Sequence, residues 1–238
     1  MRAGEPADAG AAAAGTRGTR CRALLFDLDG VLVDSVRNTR NAWRRWAAQY
    51  GLDGDAVHAA GHGRRSEDTV AEVAPWLDPA VEVPFVEHLE STTTDELDPV
   101  PGAAALLAGL PPDAWAIVTS GTRAVALHRI AYCGLPTPGL LLTAEDVTQG
   151  KPHPEPYLTA AERLGVPPAD CVVVEDAAAG VQAARAGAMR CVFVGPAGSP
   201  GADGADIVAE RLADLCVARD GQWLVIGLHG PGAQGAAP

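Results

Sequence analysis

At 238 residues, 47 % of them hydrophobic and 20 % charged, the chain can bury a full core and is expected to form one domain plus an insertion. A formal net charge of −12 and the lack of any basic tract argue against nucleic acid as a partner, and no apolar stretch approaches membrane-spanning length. Cysteines 21, 133, 171, 191 and 216 are odd in number and lack CxxC spacing, which fits reduced core thiols in a cytoplasmic protein rather than a disulfide framework or zinc site.

Residues 1–20 are Ala/Gly-rich without the apolar core of a signal peptide, and read as a disordered leader. The apolar run 23–26 then predicts a buried strand that ends in Asp27-Leu28-Asp29-Gly30. Side chains at i and i+2 project to one side of an extended chain, so Asp27 and Asp29 can face one small volume while Gly30 lets the backbone turn away. Two carboxylates that close need a cation or a shared proton, an arrangement suited to metal binding, covalent attack and proton transfer. A strand followed by an ordinary Asp-Gly turn is the plain alternative.

Residues 36–99 hold no convincing strand. Trp43, Trp46 and Ala47 line one amphipathic face, and Val70, Val73 and Ala74 mark another, predicting a helical cap inserted beside the acidic turn. Such an insertion is placed to act as a lid. The α/β pattern resumes at Val100-Pro101-Gly102, so the core is expected to be discontinuous, from 21–35 and 100–228, with 229–238 as a flexible tail. Continuous apolar runs at 115–118, 140–142, 171–174 and 191–194 suit strands covered on both faces. Helices at about 103–110, 122–133, 154–164 and 178–187 supply the crossovers of a Rossmann-like, doubly wound parallel sheet.

Three more strand ends carry polar groups. Thr119-Ser120-Gly121 offers a hydroxyl and backbone N–H groups at a helix start, a phosphate-holding arrangement that ordinary N-capping also explains. Glu175-Asp176 is a second acidic pair; at a switch point shared with Asp27 and Asp29 it makes a plausible Mg²⁺ site. Lys151 stands alone: the chain has seventeen Arg and one Lys. A compact ammonium differs from a guanidinium in reach and geometry, and this one falls where a phosphate ligand is needed. His153 and His128 are expected on a loop and a helix surface.

In this order the segments resemble the haloacid dehalogenase superfamily, over residues 21 to about 217. Asp27-Leu28-Asp29-Gly30-Val31 matches its DxDG[TV] motif, Thr119 its strand ending in Ser or Thr, Lys151-Pro152 its lysine before proline, and Glu175-Asp176 its acidic pair. Each motif is loose, but four in order are specific. The insertion resembles the small helical cap of the β-phosphoglucomutase-like subgroup. Gly63-Arg64-Arg65-Ser66 and Val118-Thr119-Ser120-Gly121-Thr122 look like segments of bacterial sugar-phosphate and glycerol-phosphate phosphatases.

The resemblance implies Mg²⁺-dependent hydrolysis of a small phosphate ester through an aspartyl-phosphate. Asp27 would be the nucleophile and Asp29 the acid and base. Asp27, the Asp29 carbonyl oxygen and Asp176 would hold the metal, with Glu175 behind them, while Thr119, the Ser120 N–H and Lys151 would hold the phosphoryl group. Arg64 or Arg65, only one of them, would reach the rest of the substrate. Asp29 argues against dehalogenation, and the lack of a cap lysine argues against phosphonoacetaldehyde hydrolysis. Thr39 occupies the position of the histidine of phosphoglucomutases, which disfavours that alternative. A non-catalytic binding protein on this scaffold would show an eroded motif, and none is eroded. Oligomeric state is left open between monomer and small homo-oligomer.

Overall fold

Four successive residues, Ala23 to Phe26, are fully buried because both faces of their strand are covered. The computed structural model describes residues 18–94 and 96–229. The sheet contains β1 (Ala23–Phe26), β2 (Trp115–Val118), β3 (Leu141–Leu142), β4 (Cys171–Glu175), β5 (Arg190–Val194) and β6 (Ile207–Ala209). Their order is β3-β2-β1-β4-β5-β6, and every neighbouring pair is parallel. The winding direction therefore reverses between β1 and β4, which places a crevice at their carboxyl ends.

The helices are α1 (Val36–Ala48), α2 (Gly54–Gly61), α3 (Ser66–Val73), α4 (Pro79–Thr92), α5 (Ala103–Ala108), α6 (Arg123–Tyr132), α7 (Glu155–Leu164) and α8 (Ala178–Ala186). Strand side chains alternate between two helical layers. Leu24, Phe26 and Ile117 pack with Leu107 of α5 and Ile130 of α6. Leu25, Val118 and Val173 pack with Tyr157 of α7 and Val181 of α8. Each such fully buried large apolar side chain contributes about 1.5–3 kcal/mol. The α7 segment shows local agreement with its role: Pro156 lies in its first turn, and Gly165 ends it at φ +65°.

Helices α1–α4 make the expected cap around a core of their own. Trp43 and Trp46 meet edge to face at 5.4 Å, with Val57, Val70, Val86 and Leu89 around them. The cap leaves the core through Val33–Asp34 and returns through Asp98–Pro99, which pair antiparallel, so both connections start beside the β1 turn.

Two stretches near the ends of the described chain depart from expectation. Thr19 and Arg20, expected in the leader, form an edge strand Thr19–Cys21 on Trp223–Leu228, which in turn pairs with Leu215–Asp220. Neighbouring strands supply the hydrogen bonds here, and three residues are too few to show that pairing in sequence. β6 was likewise unforeseen, its register being set by β5. The rest of the expected leader (1–17) and of the tail (230–238) lies outside the described residues. His153 is exposed as expected, but His128 is half-buried and stacks on Tyr132 at 6.2 Å. Among the described residues, no helix is long and apolar enough to cross a membrane.

Candidate active site

The Asp27 N–H donates to the Val174 carbonyl at 2.9 Å, tying the end of β1 to β4. The chain then turns at once: Gly30 adopts φ +79°, and its N–H donates to Val33 O at 2.8 Å. This turn sets Asp27 and Asp29 along one cavity of about 80 Å³. Core residues Thr119, Ser120 and Asp176 line it from one side, and cap residues Thr39, His58 and Arg64 from the other.

Lys151 lies beneath Asp27, only 1 % exposed. Its Nζ donates to Asp27 Oδ1 at 2.7 Å, Glu175 Oε1 at 2.7 Å and the Val118 carbonyl at 3.1 Å, which uses all three ammonium protons. Burial works against the charged ammonium, but Asp27 and Glu175 outweigh it and hold its pKa above the ordinary value. Burial also pushes the Asp27 carboxyl up to about 7, opposed by Lys151 and reinforced by Glu175 and Asp29.

Glu175 is fully engaged. Oε1 accepts from Lys151 and from the Tyr157 hydroxyl at 2.7 Å, while Oε2 accepts from the Asp176 and Ala177 N–H groups at 3.0 and 3.1 Å. A Cβ on Gly180 would stand 1.6 Å from Oε1, so the first turn of α8 leaves room for this carboxylate only because it carries glycine there. Glu175 thus fixes Lys151 and the end of β4.

Asp176 is different. Its Oδ1 is buried without a hydrogen-bond partner among the described residues, and its Oδ2 lies 3.5 Å from His62 Nε2. Burial, then the charges of Glu175 and Asp27, raise its carboxyl well above the ordinary value. One oxygen from each of Asp27, Glu175 and Asp176 lies within 4.8 Å of the others. Lys151 pairs with Asp27 and Glu175 but not with Asp176, so Asp27 and the unbonded Asp176 oxygen fit a divalent cation, with the engaged Glu175 behind them.

The Asp29 carboxylate takes other partners. Oδ1 accepts from Ser35 Oγ at 2.6 Å and from Arg129 Nη1 at 2.7 Å. Thr119 Oγ1 accepts from the Gly121 N–H at 3.0 Å, which leaves its own proton free to donate into the cavity. The Ser120 hydroxyl donates to the Gly63 carbonyl at 3.0 Å, joining core to cap.

The two cap arginines part company. Arg64 lines the cavity and pairs with Glu72 at 2.6 Å. Arg65 is buried against the 147–150 loop and held by Glu67 and Asp68 at 2.7 and 2.8 Å. Sequence reasoning missed Ser35, Glu90, Arg129 and Tyr157. Only Ser35, in the same short segment as the acidic turn, carried a local signal.

The chain belongs to the haloacid dehalogenase-like hydrolases, whose family profile matches residues 21–187. It is 41 % identical over 209 residues to hexitol phosphatase A of Escherichia coli, covering 84 % of this chain and 95 % of that protein. It is 36 % identical over 190 residues to glycerol-1-phosphate phosphohydrolase 2 of Saccharomyces cerevisiae, covering 74 % and 75 % of the two chains. Among solved structures, a hydrolase from Pseudomonas syringae matches with a TM-score of 0.74 at 25 % identity, covering 82 % of this chain and 95 % of that one.

Proposed function

We propose that this chain is a phosphoric monoester hydrolase acting on a small sugar or polyol phosphate, with Asp27 as the nucleophile and Mg²⁺ as the metal. The observation that carries the reading is Asp27 between Lys151 and Asp176 in a cavity lined by both core and cap. Relatives named as hexitol and glycerol-1-phosphate phosphatases support the substrate class.

In this reading an Asp27 oxygen attacks phosphorus while the bond from phosphorus to the ester oxygen breaks. Asp29 gives its proton to that departing oxygen. A water then attacks the phosphorus of the aspartyl-phosphate and returns a proton to Asp29, freeing phosphate and Asp27. Lys151 offsets charge beside the nucleophile, and the Thr119 hydroxyl and Ser120 N–H hold phosphoryl oxygens. Asp27 and Asp176, with the Asp29 carbonyl, would hold Mg²⁺, which when bound offsets the charge of the phosphoryl oxygens. Thr39 supports hydrolysis over a mutase: its hydroxyl is spent on the Ser35 carbonyl at 2.7 Å and offers no base to a sugar.

The test is phosphate release from hexitol, glycerol and hexose phosphates and phosphoglycolate, with and without Mg²⁺. Asp27→Asn, nearly isosteric, should cost at least about 10³-fold in turnover. No release from any ester, or wild-type rates in Asp27→Asn, would overturn the reading.

A further inference from the structure

Arg129 of α6 is 2 % exposed and stands where the β1 turn, the core and the cap meet. Its Nη1 donates to Asp29 Oδ1 at 2.7 Å. Its Nη2 donates to Glu90 Oε2 of α4 at 3.1 Å and to Asn38 Oδ1 of α1 at 3.1 Å. Asn38 is itself fixed, since its Nδ2 donates to the Glu90 and Thr93 carbonyls at 3.4 and 2.6 Å. One planar cation therefore spans a carboxylate of the core and a carboxylate of the cap, which a single ammonium could not do with the same geometry.

The arrangement has a mechanical consequence. A buried guanidinium is tolerable only with its partners in place, and two of them, Glu90 and Asn38, belong to the cap. Ser35 and Arg129 both bind Asp29 Oδ1, and Oδ2 has no hydrogen-bond partner among the described residues although Asp29 lines the cavity. The carboxylate is thus anchored by one oxygen while the other stays available.

We propose that Arg129, held by Glu90 and Asn38, is a positioning residue that aims Asp29 for proton transfer to the leaving oxygen, so that this group is set only when the cap is seated. The inference rests on the phosphatase reading with Asp29 as proton donor. When the bond from phosphorus to the ester oxygen breaks, an alkoxide needs the Asp29 proton, whereas a nitrophenolate departs without it. Misplacing Asp29 therefore harms an alkyl ester more than an activated aryl ester.

The experiment compares kcat/KM for glycerol 1-phosphate and p-nitrophenyl phosphate in the wild type, Arg129→Lys and Glu90→Gln, with thermal unfolding as a check on folding. This parameter reports ester cleavage and is blind to later hydrolysis of the phospho-enzyme. The alkyl-to-aryl ratio should fall by ~10-fold or more in Arg129→Lys and by ~3-fold or more in Glu90→Gln. A purely structural role would lower both esters together, and an unchanged ratio in the folded variants overturns the inference while leaving the phosphatase reading intact. If Arg129→Lys does not fold, the near-isosteric Glu90→Gln decides alone. If the wild type leaves glycerol 1-phosphate intact, the alkyl ester is the sugar or polyol phosphate that it does hydrolyse, and a wild type that hydrolyses none of them overturns both readings.

Discussion

Gly30 and Asp176 share one space: a Cβ on Gly30 would lie 1.9 Å from Asp176 Oδ2. Residue 30 also sits at φ +79°, a conformation that costs an L side chain about 1–2 kcal/mol. The turn that ends the first motif is therefore shaped around the carboxylate of the last. Gly30→Ala should push the Asp176 carboxylate away from Asp27 and lower turnover by ~10-fold or more, with a fall in stability of about 1–3 kcal/mol. Steady-state kinetics across a Mg²⁺ titration, beside thermal unfolding, checks this. Wild-type Mg²⁺ dependence in the variant would contradict it.

Removing Lys151 leaves the buried carboxylates of Asp27 and Glu175 without their shared cation, since their bonds to its ammonium are both 2.7 Å. Lys151→Met should cost about 3–5 kcal/mol in urea unfolding, the usual penalty for breaking a buried pair from one side. Lys151→Arg should not rescue it, because a planar fork cannot replace a compact ammonium whose three protons are all in use. A loss below about 1 kcal/mol would mean that the carboxylates find other partners.

Metal and pH should be linked. With Asp27 raised to about 7 by burial, the metal-free folded state keeps a proton that the unfolded chain releases near its ordinary value of 3.8. The folded state binds more protons in that window, so stability should fall as pH rises from about 4 to about 7. A bound cation takes the proton's place, so the stabilisation by Mg²⁺ should grow over the same range. Melting curves with Mg²⁺ or EDTA at about pH 5.5 and about pH 8 test this, and an equal Mg²⁺ effect at both would count against it.

Of the two cap arginines, Arg64 should matter for the substrate and Arg65 for the seating of the cap. Arg64→Ala should lower kcat/KM for a sugar or polyol phosphate by ~10-fold or more while sparing a small aryl phosphate. Arg65→Ala, which loses contacts to Glu67, Asp68 and the Val147 carbonyl, should affect both esters alike. The reverse pattern would move the specificity role to Arg65.

The acidic turn and the second acidic pair were legible because each directly follows an apolar run, and Lys151 because it is the one lysine in a chain of seventeen arginines. Their convergence depends on strand order: β1 lies between β2 and β4, so Asp27 meets Asp176 from 149 positions further along the chain. Glu175 shows the limit of that legibility. Its type and place were plain, but the bonds that bind it to Lys151, Tyr157 and two N–H groups appear only in the fold.

Sequence alone determined the parallel α/β core, the helical insertion and the acidic and basic groups at the strand ends, because local hydrophobic period and turn chemistry encode these. It also determined that Gly30 follows the two aspartates, the residue that the turn requires. Tertiary structure alone decided that Arg129 faces Asp29 across 100 residues and Glu90 across 39, since nothing in the pattern of α6 marks a buried cation. It decided as well that Arg64 lines the cavity while Arg65 is buried against the 147–150 loop. The physical reason is the same in both cases: a long charged side chain takes its direction from partners that only the packing of cap on core brings within reach.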